Sequence, residues 1–180
     1  MNHSLVLNRL VAMAALVALL TACDPGHEEH GDYTDKVQAV NAAEIAGWYA
    51  DEREFRILDV RTKSEFEHDG HAPGAELVPW SYNDKMDGVN ETFIQTVPER
   101  FGADETIVIL CSLGMRASQA ADELQRTAGF TRIYVFEGGY EGHDMAGFPS
   151  GPGWRASELP MDGVDPPRED LLGEDPAAEE

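Results

Sequence analysis

Thr106-Ile107-Val108-Ile109-Leu110-Cys111-Ser112-Leu113-Gly114-Met115-Arg116 is the stretch that decides the architecture. Its first five residues are apolar or β-branched without a break, the pattern of a strand covered on both faces. Ala117 to Ala128 then follows helical spacing, and Gly129 is placed to stop it. A buried strand that feeds a helix through a short loop is the repeating unit of a parallel sheet with crossover connections. Cys111 falls at the C-terminal end of that strand, where open α/β sheets bind their ligands. The unpaired N–H groups of a helix start, with Arg116 close by, are expected to favour a thiolate there. Cys111 is therefore a candidate nucleophile, with Ser112, Leu113, Gly114, Met115 and Arg116 as its loop. The competing assignment is a small core hydrophobe, the commonest use of a lone cysteine.

Outward from this stretch, strand and helix patterns alternate. Val37 to Val40 reads as a short strand. Asn41 with Glu44 three residues on reads as a capping box that opens a helix. Phe55 to Val60 is a strand pattern, and Thr62 with Glu65 is a second capping box. Glu76 to Val78 is a brief strand, residues 81–89 a polar loop, and Asn90 to Phe101 a helix interrupted by Pro98. Arg132 to Phe136 is a further strand. Gly138-Gly139 turns the chain, and 140–146 are expected to form a last short helix. This order predicts an α/β fold, a mainly parallel sheet with helices on both faces, as a single domain over residues 36–150.

The two ends of the chain read differently. Asn2, His3 and Arg9 precede the eleven-residue apolar run Leu10 to Leu20, too short to span a bilayer. Leu20-Thr21-Ala22-Cys23 follows and resembles the lipobox of bacterial lipoprotein signal peptides. That resemblance implies a signal peptide over residues 1–22 and a lipid anchor to a membrane on Cys23. It also implies a place in the cell envelope facing the periplasm. Asp24, in some Gram-negative lineages, is associated with retention at the inner membrane. Residues 23–35 are acidic and contain Gly and Pro, as a tether would. His27 and His30 lie in it without a further ligand set, so no metal site is expected. Residues 151–180 carry nine Asp or Glu and two Arg and are expected to be a disordered acidic tail. The alternative is that Trp154 anchors part of that segment on the domain. A net charge of −21 disfavours nucleic acid as a partner. With Cys23 lipidated, Cys111 is the one free thiol, which leaves one-cysteine chemistry with an external partner.

Five segments together resemble the rhodanese family of sulfurtransferases, over about residues 36–150. They are Leu58-Asp59-Val60-Arg61 with Glu65-Phe66, Gly70-His71-Ala72-Pro73-Gly74-Ala75, and Cys111-x-x-Gly114-x-Arg116. The others are Gly129-Phe130 with Val135-Phe136-Glu137-Gly138-Gly139, and Ala146-Gly147-Phe148-Pro149. The resemblance implies a single-domain rhodanese-like fold and transfer of a sulfane sulfur, from thiosulfate or a persulfide to a thiol or cyanide, through a persulfide on Cys111. No cofactor or metal is implied. The partners are a small sulfur donor and a thiol acceptor, with a protein partner not identified. The loop N–H groups from Ser112 to Arg116 are expected to cradle the terminal sulfur. Asp59 and Arg61 are expected to form a buried pair, with ligand contact as the alternative. Glu65 reads as a cap, His71 as a loop-locking hydrogen bonder, and Trp80 as either a pocket wall or a core-edge filler. Two other functions stay open. One is a non-catalytic binding module on this fold. The other is a phosphatase or arsenate reductase, whose relatives place five residues between Cys and Arg where this chain has four.

Overall fold

The structure, a computed structural model, describes residues 37–82 and 89–163. Five strands form one parallel sheet: β1 (Gln38–Val40), β2 (Arg56–Asp59), β3 (Glu76–Leu77), β4 (Ile107–Leu110) and β5 (Ile133–Phe136). Their order across the sheet is β1-β5-β4-β2-β3, so β4 is the central strand. Four helices connect them: α1 (Ala42–Ala50), α2 (Lys63–His68), α3 (Phe93–Arg100) and α4 (Met115–Ala128). The fold is the expected α/β one.

Strand periodicity divides the core in two. Along β4, Ile107 and Ile109 point to one face, Val108 and Leu110 to the other, and all four are buried. The first face packs on Phe93 and Val97 of α3 and on Ala117, Ala120, Ala121 and Leu124 of α4. Those α4 positions recur at helical spacing, and the three alanines let the helix lie close to the sheet. The second face packs on Ile45 of α1 together with Trp154 and Leu159. A central strand apolar at every position is therefore what a sheet covered on both sides requires.

Both capping boxes form. Asn41 accepts from the Glu44 N–H, and Thr62 from that of Glu65, while each Glu reaches back to the cap residue's N–H. Helix α4 starts at Met115, two residues before the expected Ala117, and ends on Gly129 at φ +72°.

Two expectations are corrected. Residues 140–146 form turns instead of a helix. Gly138, Gly139 and Gly142 all take positive φ, and His143 exchanges two backbone hydrogen bonds with Gly151, which holds the segment extended. Over residues 151–163 the alternative reading holds, and the ordered domain runs past residue 150. Trp154 is fully buried, and its Nε1–H donates to the Pro160 carbonyl at 3.0 Å. Asp162 then pairs with His71 through two backbone hydrogen bonds. An indole that can bury both its ring and its N–H contributes more than the surrounding acids cost. Residues 1–36, with the expected signal peptide, tether and Cys23, lie outside the described residues, as do 83–88 and 164–180. Among the described residues no helix is long and apolar enough to cross a membrane.

Candidate active site

Cys111 follows β4 directly, at the C-terminal edge of the sheet. Its Sγ accepts from the backbone N–H of Gly114 at 3.1 Å and of Ala117 at 3.3 Å. Gly114 makes this possible: at φ +88° it turns the chain so that its own amide and the first turn of α4 face back onto the sulfur. The loop carbonyls point the other way. That of Cys111 accepts from the Tyr140 N–H at 2.7 Å, and that of Ser112 from the Glu141 N–H at 2.9 Å. Amides in and carbonyls out is the polarity that stabilises negative charge on the sulfur. The donors differ in part from the expected run of Ser112 to Arg116. Gly114 and Ala117 supply the hydrogen bonds because α4 begins early.

The thiol lies deep, with Cys111 only 1% exposed. Burial pushes its pKa up from the ordinary value, while Arg116 and the amides of Ala117, Gly114 and Leu113 pull it down. The loop amides and Arg116 thus act in the expected direction, toward the thiolate, but burial outweighs them. At the rim of the loop, Leu113 is 37% exposed, and Ser112 and Met115 are half-buried.

Arg116 braces the loop instead of reaching out of it. Its Nη1 donates to Glu65 Oε2 at 2.8 Å and its Nη2 to Oε1 at 2.5 Å. Glu65 Oε2 also accepts from the Thr62 N–H at 2.7 Å and the Thr62 hydroxyl at 2.8 Å. Burial opposes ionisation of this carboxyl, but Arg116 and Thr62 together hold its pKa down to about 2. The sequence identified Glu65 as a cap and not as the partner of Arg116. The two are 51 residues apart, and only the packing of α2 against the loop brings them together.

Asp59 and Arg61 form the expected buried pair. Arg61 Nε donates to both Asp59 oxygens at 3.1 and 3.0 Å, and Nη2 donates to Asp59 Oδ2 at 2.8 Å and to the Gly70 carbonyl at 2.7 Å. The guanidinium lies 3.9 Å from the Tyr140 ring centre, and the Tyr140 hydroxyl donates to the Asp69 carbonyl at 2.7 Å. Through Tyr140 this pair supports the residue that holds the Cys111 carbonyl. His71 locks its loop: it stacks on Phe66 with ring centres 3.9 Å apart and bridges to Asp162. Trp80 fills the core, edge-to-face with Phe93 in the same cluster as Cys111. Gly139 was legible as part of a turn, but its contact with the Cys111 loop, like that of His143, has no local signal in the sequence. His143 Nδ1 accepts from the Met145 N–H at 3.0 Å, and Nε2 faces Gly114, where a Cβ would approach it to 3.0 Å. Gly139 lies directly beneath the loop. Among the described residues, no group of three or more His, Cys, Asp or Glu is placed to hold a metal ion.

This geometry agrees with the comparisons to known proteins. The family model described as the rhodanese-like domain matches residues 41–146. Thiosulfate sulfurtransferase 16, chloroplastic, of Arabidopsis thaliana is 38% identical over 97 residues, which cover 53% of this chain and 78% of that protein. The senescence-associated protein DIN1 of Raphanus sativus is 35% identical over 109 residues, 60% of this chain and 52% of that one. Among solved structures, Rv0390 from M. tuberculosis has a TM-score of 0.55 at 26% identity, covering 70% of this chain and 99% of its own.

Proposed function

The chain belongs to the rhodanese-like domain family, and from that premise we propose that it is a sulfurtransferase working through a Cys111 persulfide. The Cys111 thiolate attacks the outer sulfur of a donor, thiosulfate or a persulfide. The donor's S–S bond breaks, and sulfite or a thiol leaves with the electron pair. A thiol, or cyanide in vitro, then attacks the outer sulfur of the Cys111 persulfide and regenerates the thiol. The observation that carries this reading is the pair of amides, Gly114 and Ala117, converging on Sγ. Donors fixed before reaction stabilise a charge without having to reorganise. A cradle closed by four residues between Cys111 and Arg116 suits one sulfur better than a tetrahedral oxyanion.

The test is an intact mass of the purified chain after incubation with a sulfane donor. A gain of one sulfur, about 32 Da, discharged by cyanide and lost in Cys111→Ala, supports covalent transfer. The depth of Cys111 favours one rival, a binding module that keeps the fold without turnover. No sulfur uptake from several donors would establish that rival.

The same proposal places the protein in the cell envelope, facing the periplasm, held by lipid on Cys23. The support is the apolar run Leu10 to Leu20 followed by Leu20-Thr21-Ala22-Cys23. Palmitate labelling lost in Cys23→Ser, with globomycin-sensitive processing, tests it.

A further inference from the structure

Among the described residues, the surroundings of Cys111 carry charge but display none. Two full cations, Arg116 and Arg61, come close to the loop. Each is closed on a carboxylate in a two-pronged pair, Arg116 on Glu65 and Arg61 on Asp59. Arg116 is 8% exposed and Arg61 1%, so neither guanidinium presents its charge to an incoming molecule. His143, behind Gly114, is held toward its neutral form by burial. What faces the sulfur is a set of amide dipoles, and what faces solvent is Leu113, beside half-buried Ser112 and Met115. The chain as a whole is at −21.

These features weigh against a dianion. Amide dipoles stabilise the single charge that develops on one sulfur, but a second charge on the donor needs a free cation or water. A strongly negative protein also repels anions at long range. Glu65 is the residue on which this balance turns. Its negative charge cancels Arg116, the one cation among the described residues that acts directly on the Cys111 sulfur. Were Glu65 neutral, Arg116 would keep its place and leave a net positive charge beside the cradle.

We propose that Glu65 determines donor choice. By cancelling Arg116 it makes the site take sulfur from persulfides of uncharged thiols, which carry at most one charge, in preference to dianionic donors such as thiosulfate. This rests on the sulfurtransferase reading above. The step balances as written. The Cys111 sulfur bonds to the outer sulfur of RS–SH, and the RS–S bond breaks. RS⁻ takes up the proton that Cys111 released. Cys111 is oxidised to the persulfide level as the donor's inner sulfur is reduced to a thiol. Glu65 touches neither reacting sulfur. It is a positioning and specificity residue that acts through Arg116.

The experiment compares kcat/KM for loading Cys111 from thiosulfate and from 2-hydroxyethyl persulfide, using the purified full chain and its Glu65→Gln variant. Glutamine retains an acceptor for Arg116 and for Thr62 but removes the charge. The ratio of thiosulfate to persulfide is expected below one in the wild type and at least tenfold higher in Glu65→Gln. A purely structural role would slow both donors and leave their ratio in place. Leu113→Lys, at the exposed rim, adds a cation without touching Glu65 and is expected to raise the ratio likewise. Raising salt is expected to speed thiosulfate more than the persulfide. A wild-type ratio above one, or a ratio within twofold in both variants, overturns the inference and leaves sulfur transfer standing. Loading by neither donor overturns both.

Discussion

The Tyr140 N–H donates to the Cys111 carbonyl oxygen at 2.7 Å, so the loop that carries the thiol is fastened at its first residue to the turn after β5. The contact needs the two backbones almost touching, and Gly139 is what permits that. A Cβ on Gly139 would lie 2.5 Å from the Ser112 carbonyl oxygen, 2.6 Å from that of Cys111 and 2.8 Å from the Gly114 nitrogen, at φ +65°. All three are backbone atoms that cannot step aside. Gly139→Ala is expected to cost about 2–4 kcal/mol of stability and to abolish sulfur loading. Gly129→Ala, at φ +72° with open space around it, serves as the comparison. It should cost about 1 kcal/mol and leave loading intact. Denaturant melts and the mass assay on both variants check this; equal effects would mean the loop is not fixed from below.

The packing of Trp154 makes the chain beyond residue 150 part of the folding unit. The ring is buried against Phe136, with ring centres 5.0 Å apart, and its N–H is used. Trp154→Ala is expected to cost about 3–5 kcal/mol, as for a fully buried aromatic. A chain ending at Ser150 should lose at least as much. Thermal melts decide it, and an unchanged Tm in both would show that the segment contributes nothing.

What the sequence made legible, and what it did not, follows from range. Ile107 to Leu110 could be read because a strand apolar at every position has few other uses. Asn41 with Glu44, and Thr62 with Glu65, could be read because a capping box is closed within four residues. The Glu65–Arg116 pair could not, since nothing local links residues 51 apart. Trp154 was legible only as the alternative to a disordered tail, because composition averages over a segment, whereas burial is decided by one side chain. The depth of Cys111 was also hidden. The loop's amides follow from Gly114 and the helix start, but how far the core rises around the sulfur depends on both faces of the sheet.

The Glu65–Arg116 pair gives acid stability a definite sign. Glu65 is held down to about 2 in the folded chain, against 4.5 as its ordinary value. A carboxylate whose folded pKa is depressed adds stability above the unfolded value and loses it as pH falls through the folded one. Its contribution is thus complete above about pH 5 and declines between 4.5 and 2, with an upper bound of about 3 kcal/mol. Glu65→Gln should flatten stability against pH across that window. Urea melts at pH 6, 4 and 3 measure it, and an identical slope in wild type and variant would mean that the pair holds no such energy.

The depth of Cys111 predicts how the thiol titrates. Burial raises its pKa above the ordinary cysteine range, while the amides and Arg116 offset only part of that. The thiolate is the reacting form, so alkylation by iodoacetamide should climb about tenfold per pH unit between 7 and 9 without a plateau. Arg116→Ala removes the one full positive charge that acts on the sulfur among the described residues. It should slow labelling at neutral pH by about tenfold, with the curve moved to higher pH. Deleting Gly114's left-handed turn, as Gly114→Ala, should slow it further by swinging one amide away. A plateau below pH 8 in the wild type would mean that the cradle outweighs burial. Unchanged labelling in Arg116→Ala would mean that Glu65 screens the guanidinium completely, leaving the thiolate to the amides alone.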